Sequence, residues 1–69
     1  MKGLAERLKF IRLNSKMTQQ EVADKINTSR SNISKYENGL LEPNIDTLVQ
    51  LIELYKISAD YLLGIKKDK

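Results

Sequence analysis

The segment from Thr18 to Gly39 constrains the fold of this chain more than any other part of it. Thr18 and Glu21 have the spacing of a capping box, in which the Thr18 hydroxyl accepts from the Glu21 backbone N–H and the Glu21 carboxylate reaches back. Asn27 tolerates a left-handed backbone and predicts a tight turn, and Ser29 is a good N-cap for a second helix. The segment therefore predicts two short helices joined by a tight turn.

The remainder of the chain also predicts helices. Apolar residues recur at helical spacing, strict alternation over strand length is missing, and Gly and Pro are scarce, so the predicted class is all-α. The first helix is predicted over 2–14, a fourth begins after the cap Asn44, and a fifth spans 58–63 and stops at Gly64. The stripes predict burial of Leu4, Leu8, Ile11, Val22, Ala23, Ile26, Ile33, Tyr36, Leu48, Leu51, Ile52, Tyr55 and Tyr61.

Length and residue types exclude several classes of function. The 69 residues predict one domain over 1–69, with a core at 3–64 and a flexible basic tail at 65–69. The chain has no cysteine and no histidine, which excludes thiol nucleophiles, histidine catalysis and the common zinc sites. No glycine-rich phosphate loop is present, so we expect no enzyme activity, no cofactor and no metal. Neither a signal peptide nor an apolar run of ~20 residues is visible, which favours a cytoplasmic protein.

Positive charge is concentrated in the first part of the chain. Residues 1–16 carry five Lys or Arg against one Glu, residues 17–41 carry three charges of each sign, and residues 42–65 carry one Lys against four acids. The whole chain has a formal net charge of +3, and a positive surface attracts nucleic acids. We therefore expect any DNA-facing surface to come from the first 41 residues, with the segment 42–65 turned away from phosphate.

Five motifs in a fixed order resemble one known family. They are Leu8-x-x-Ile11-Arg12, Thr18-Gln19-x-Glu21-Val22-Ala23, Ser29-Arg30-x-x-Ile33-x-x-Tyr36-Glu37-Asn38-Gly39, Pro43-x-x-Asp46-Thr47-Leu48 and Ser58-x-Asp60-Tyr61-Leu62-Leu63. Over about residues 3–64 the chain is similar to the Cro/XRE-type, lambda-repressor-like helix-turn-helix regulators. The resemblance implies a compact five-helix DNA-binding domain, with helices 2 and 3 as the helix-turn-helix and the third helix as the recognition helix.

Two positions depart from the pattern of that family. Asn27 stands in the turn where the family usually has Gly, which should be tolerated at a small cost. The loop after Gly39 reads Leu-Leu-Glu, where many members carry Lys or Arg. This loop is therefore not expected to make the usual phosphate contacts, and Glu42 is positioned to repel the DNA backbone.

The resemblance makes the polar face of the third helix the candidate for reading bases. The predicted base-reading residues are Arg30, Ser31, Ser34 and Lys35. Arg and Lys donate to guanine, and Ser can donate or accept. The alternative interpretation is an ordinary solvated helix face. Gln19 is implied as a phosphate contact, and Asn38 and the backbone N–H groups near Gly39 are further candidates.

Two further features concern how the domain is held together and paired. The resemblance implies a salt bridge between Arg12 and Glu37, joining the first helix to the end of the third. The fourth and fifth helices hold more apolar residues than one buried stripe needs. The surplus residues are Ile45, Val49, Leu54, Leu63 and Ile65. They fit either a small shared core or a homodimer contact through these two helices, with Leu63 and Ile65, which would set two recognition helices ~34 Å apart.

The sequence and the resemblance together therefore predict a sequence-specific transcriptional regulator, specifically a repressor that binds an inverted-repeat operator in double-stranded DNA as a homodimer. The alternative is a protein-interaction module that keeps the fold without DNA binding, motivated by the acidic second half and the Leu-Leu-Glu loop. An antitoxin or a restriction-system controller on the same fold is also compatible with these residues.

Overall fold

The computed structural model describes residues 3–64 and shows five α-helices in chain order. They are α1 (Leu4–Asn14), α2 (Gln19–Lys25), α3 (Arg30–Glu37), α4 (Ile45–Tyr55) and α5 (Ala59–Leu63). No strand occurs in this part of the chain, so the prediction of an all-α, five-helix fold is confirmed. The predicted tail at 65–69 lies outside the described residues. None of the helices over residues 3–64 is long and apolar enough to cross a bilayer.

Side-chain caps begin four of the helices where the sequence predicted them. The capping box of α2 is complete, with the Thr18 hydroxyl 3.0 Å from the Glu21 backbone nitrogen and the Glu21 carboxylate 2.7 Å from the Thr18 nitrogen. Ser29, Asn44 and Ser58 accept in the same way at the starts of α3, α4 and α5. Each cap satisfies a backbone donor that the first helical turn leaves unpaired. The helix starts are therefore determined locally.

Left-handed residues end the two helices of the predicted helix-turn-helix. Asn27 has φ 60° in the turn after α2, where the Thr28 nitrogen donates to the Ala23 carbonyl over 2.9 Å. Gly39 has φ 74° after α3, and the Leu40 nitrogen returns to the Lys35 carbonyl over 2.9 Å. A left-handed residue lets the chain reverse while these carbonyls stay bonded. Both predicted helix ends are confirmed.

Among residues 3–64 the core lies between all five helices and consists of ten residues of the predicted stripes together with Leu62, whose burial was not predicted. Its buried apolar residues are Leu4, Leu8, Ile11, Val22, Ala23, Ile26, Ile33, Tyr36, Leu48, Leu51 and Leu62. Ile52 and Tyr55 pack against it but are only half-buried. The predicted burial of Tyr61 is wrong, because its side chain is 46% exposed. In the short α5 the next residue, Leu62, is directed into the core, and adjacent side chains diverge by about 100° around a helix.

Arg7 joins the start of α1 to the end of α5, a contact the sequence did not reveal. Its Nε donates to the carbonyl of Leu62 over 2.8 Å. Its guanidinium also lies against two left-handed glycines: a Cβ built on Gly3 would come within 2.6 Å of it, and one built on Gly64 within 2.7 Å. A larger residue at either position would displace the arginine. This contact holds α5 against α1.

Candidate nucleic-acid interface

The outer face of α3 is polar and faces solvent. Arg30, Ser31 and Lys35 are exposed, and Ser34 is half-buried. The opposite face of the same helix buries Ile33 and Tyr36 against the body of the domain, and Glu37 is buried at its C-terminal end. Helix α3 packs mainly on α2 and α1. The four predicted base-reading residues therefore share one side of a helix that is held by its other side.

A buried ion pair holds the end of α3 against α1. The Arg12 guanidinium donates to both carboxylate oxygens of Glu37, from Nε over 2.7 Å and from Nη2 over 3.1 Å. The side chains are only 10% and 3% exposed, respectively. The hydrogen bond that Arg12 donates to Glu37 raises the pKa of the guanidinium above its usual value. The structure thus brings together the two residues that the resemblance paired.

The same arginine also holds the loop between α1 and α2. Its Nη1 donates to the carbonyl of Met17 over 2.9 Å, one residue before the cap of α2. Over residues 3–64 no buried side-chain nitrogen or oxygen lacks a hydrogen-bond partner. A buried pair with every polar atom satisfied fixes orientation without leaving an uncompensated charge.

Gln19 connects this buried pair to the surface of α3. Its amide Nε2 donates to Glu37 Oε1 over 3.2 Å, and its Oε1 accepts from Arg30 Nη1 over 3.4 Å. The amide is therefore oriented by the buried carboxylate, with its oxygen turned toward Arg30. The sequence predicted Gln19 only as a phosphate contact, and no spacing in the sequence indicates that residues 19, 30 and 37 meet. One N–H of the amide remains for a phosphate.

The end of α3 has fewer available donors than the sequence suggested. The Asn38 backbone nitrogen donates to the Ser34 carbonyl over 3.0 Å, and the Gly39 nitrogen donates to the Tyr36 carbonyl over 3.4 Å. These bonds follow from helix geometry, because a helix end turns its carbonyls, not its N–H groups, outward. The Asn38 side chain is exposed and donates to Ser34 Oγ over 3.3 Å. Its amide is therefore the exposed donor at this end.

Asn32 lies at the edge of the polar face and is turned toward the turn between α2 and α3. Its Nδ2 donates to Thr28 Oγ1 over 2.9 Å, and the residue is half-buried. This bond adds a side-chain link between the helix-turn-helix turn and the first turn of α3. Asn32 thus stabilises the turn.

The loop that follows Gly39 contributes no positive charge to this surface. Leu40, Leu41 and Glu42 are all exposed. Positive charge on the outer face of α3 comes from Arg30 and Lys35 alone. In residues 3–64 no three His, Cys, Asp or Glu side chains are grouped in a way that could hold a metal ion. The arrangement offers hydrogen-bond donors and cations on the solvent-facing side of α3.

Comparison with known proteins relates this geometry to a family. A family profile described as helix-turn-helix matches residues 8–62. The chain is 46% identical over 62 residues to the HTH-type transcriptional regulator ImmR of Bacillus subtilis, which covers 90% of this chain and 49% of that protein. It is 36% identical over 61 residues to the cryptic phage CTXphi transcriptional repressor RstR of Vibrio cholerae, an alignment that covers 88% of this chain and 54% of RstR. It is 33% identical over 59 residues to the HTH-type transcriptional activator BcrR of Enterococcus faecalis, an alignment that covers 86% of this chain and 29% of BcrR. The chain spans about half the length of ImmR and RstR.

Replacing Glu37 by Ala leaves the buried Arg12 guanidinium without its carboxylate. We expect the free energy of unfolding, measured by urea denaturation, to fall by roughly 3–5 kcal/mol, as for other broken buried pairs. The double variant Arg12→Met, Glu37→Leu removes both charges and should recover most of that loss. A Glu37→Ala variant with an unchanged urea midpoint would show that the pair does not hold the fold.

Tyr55 lies close to the buried pair, and its titration provides a pH test of this packing. Burial raises the pKa of Tyr55 to about 12, the Glu37 carboxylate also raises it, and Arg12 lowers it. The unfolded phenol titrates near pH 10, so the unfolded chain releases this proton first. The neutral, buried phenol of Tyr55 therefore contributes its full share of the free energy of unfolding below about pH 10, and this contribution is lost as the pH rises toward 12. Tyr55→Phe should lose less stability across this window than the parent chain, whereas the control Tyr61→Phe, at an exposed site, should follow the parent. Parallel curves for all three proteins would contradict the buried environment of Tyr55.

Proposed function

The chain belongs to the helix-turn-helix family, and we propose that it is a sequence-specific DNA-binding regulator of transcription that inserts α3 into the major groove. The observation that carries this proposal is the orientation of α3. Its apolar side and Glu37 are buried, while the Arg30, Ser31 and Lys35 side chains face solvent. A helix held in this way can enter the groove without disturbing the core.

In this proposal the outer face of α3 contacts the bases, and the start of α2 and the end of α3 contact the phosphates. Arg30 and Lys35 donate to base edges, and Ser31 and Ser34 adapt as donor or acceptor. Gln19 and the Asn38 side chain bind backbone phosphates, with a minor role for Gly39 because its N–H is already bonded. The hydrogen bond that Arg30 donates to Gln19 supports this assignment, since it limits the directions that the arginine can take before DNA arrives.

The proposed operator is an inverted repeat, bound by a homodimer through the fourth and fifth helices. Ile45 and Val49 lie one turn apart on α4 and are 72% and 46% exposed, and Tyr61 on α5 is 46% exposed. Exposed apolar residues on neighbouring helices are typical of a partner surface. Leu63 packs partly on the core, and Ile65 lies outside the described residues. The contact therefore centres on Ile45, Val49 and Tyr61 in this proposal.

We propose repression as the direction of regulation. The support is the 36% identity to RstR, which is named a repressor, although BcrR, at 33%, is named an activator. A small domain seated on an operator represses by occupying DNA that the transcription machinery needs. We place this function in the cytoplasm, the compartment that holds bacterial DNA. A reporter gene behind the selected operator measures the direction of regulation directly.

Selection of bound sequences from a random DNA pool tests sequence reading. The parent chain should enrich a short inverted repeat, and Arg30→Ala and Lys35→Ala should each weaken binding to it by ~1–3 kcal/mol and relax base choice at one position. Lys25→Ala is the matched control, because Lys25 is exposed on α2 away from the outer face of α3 and the charge change is the same. Equal losses on operator and unrelated DNA for Arg30→Ala and Lys35→Ala would contradict base reading. Failure of the parent chain to enrich any sequence at low salt would favour the protein-interaction module.

The dimer surface is tested by making it polar. Ile45→Ser should weaken binding to the inverted repeat while leaving binding to an isolated half-site unchanged, because only the paired site needs the contact between copies. Phe10→Ser is the control, since Phe10 is 57% exposed on α1 and lies outside the proposed surface. Gel shifts over a range of protein concentrations measure both effects. Identical behaviour of the two variants would rule out α4 as the contact.

A further inference from the structure

An open depression of about 510 Å³ lies beside α3, between the end of α1 and the starts of α2 and α3. Its lining includes Lys16, Thr18, Gln19, Gln20 and Arg30. Arg30 is thus shared between this depression and the outer face of α3. Two apolar residues, Leu13 and Met17, also line the depression, and Leu13 is 56% exposed, so its polar groups are interspersed with apolar surface.

The residues that line the depression include three cations and no acid. Arg12 is one of the cations, but Glu37 matches its charge. Lys16 is exposed, and its side chain has no hydrogen bond or ion pair with any residue from 3 to 64. Arg30 makes only the long bond to the neutral Gln19 amide.

The Glu21 carboxylate is close to the depression, because it accepts from the backbone nitrogen of Thr18 over 2.7 Å. It forms no ion pair with Lys16 or Arg30, so both cations remain available to an anion.

We propose that this depression seats a phosphate group of the DNA backbone and that Lys16 is its principal contact. The inference rests on the proposed function, because a DNA strand passes over this depression only when α3 lies in the groove. An ammonium on a flexible stem suits a phosphate, which it attracts as a point charge from any direction. The contact also supplies phosphate binding that the Leu40-Leu41-Glu42 loop cannot provide at the other end of α3.

The backbone at Lys16 shows that its side chain is not needed for the local turn. Lys16 has φ 58°, and the following nitrogen, of Met17, returns to the Arg12 carbonyl over 3.3 Å to close α1. Glycine fits such a left-handed position better than any other residue. Lys56 occupies the same position at the end of α4, with φ 55° and the Ile57 nitrogen bonded to the Ile52 carbonyl over 3.3 Å.

The two lysines provide a matched pair of variants in the full chain. Lys16→Gly and Lys56→Gly remove the same charge and relieve the same backbone conformation, so both should keep or raise the thermal midpoint. Affinity is measured over a range of salt concentrations on the selected operator and on an unrelated duplex. We expect Lys16→Gly to weaken binding to both duplexes by a similar factor and to reduce the slope of log K against log salt by about 0.9, the value for one lost phosphate contact. Lys56→Gly should retain the slope of the parent chain.

The outcomes separate this inference from the proposed function. If the parent chain binds no DNA, the proposed function fails. If the parent binds its operator and Arg30→Ala loses base preference, but Lys16→Gly keeps the same slope as Lys56→Gly, only the phosphate seat at Lys16 is overturned. Lys16→Asn, which also tolerates the left-handed backbone, must reproduce the result of Lys16→Gly. If Lys16→Gly loses affinity for the operator but not for the unrelated duplex, Lys16 reads bases, and the assignment of Lys16 to a phosphate is overturned.

Discussion

The buried ion pair between Arg12 and Glu37 is the interaction on which the arrangement of the helices depends. It joins α1 to the end of α3, and through the Met17 carbonyl it also fixes the loop that leads into α2. A core of eleven buried apolar residues is small, and apolar packing alone allows helices to slide or rotate. A bidentate pair with fixed geometry removes that freedom, and its contribution is better described as orientation than as net stability.

Gln19 connects this buried pair to the solvent-facing side of α3. The amide is bonded to the buried carboxylate on one side and to the exposed Arg30 on the other, so one end of α3 is ordered before any ligand arrives. Lys35, at the other end, has no such hydrogen bond among the described residues. Arg30 is thus partly oriented before binding and Lys35 is not, so the ordering cost is lowered for part of the interface only.

Charge and exposed apolar residues are divided between different helices. The outer face of α3 carries Arg30 and Lys35, whereas α4 carries Asp46 and Glu53 together with the exposed apolar residues Ile45 and Val49. In the proposed complex a polyanion is attracted by the cations of α3 and repelled by the acids of α4, which favours one orientation of the domain on DNA.

The amino-acid sequence alone determined the capped starts of α2 to α5, the left-handed ends at Asn27 and Gly39, and nearly all of the core, because caps, turns and periodic stripes depend on residues within a few positions of one another. The start of α1 was predicted at residue 2 and lies at Leu4, because Gly3 provides no side-chain cap. The face of α3 that carries Arg30, Ser31 and Lys35 also follows from periodicity. The tertiary structure alone decided the bond from Gln19 to Glu37, the contact of Arg7 with α5, the exposure of Tyr61 and the grouping of Lys16 with Arg30. Each of these joins residues that are distant in the chain or depends on which side of a short helix finds the core. Local patterns contain no information about such distances, because they are set by how five helices pack together in three dimensions.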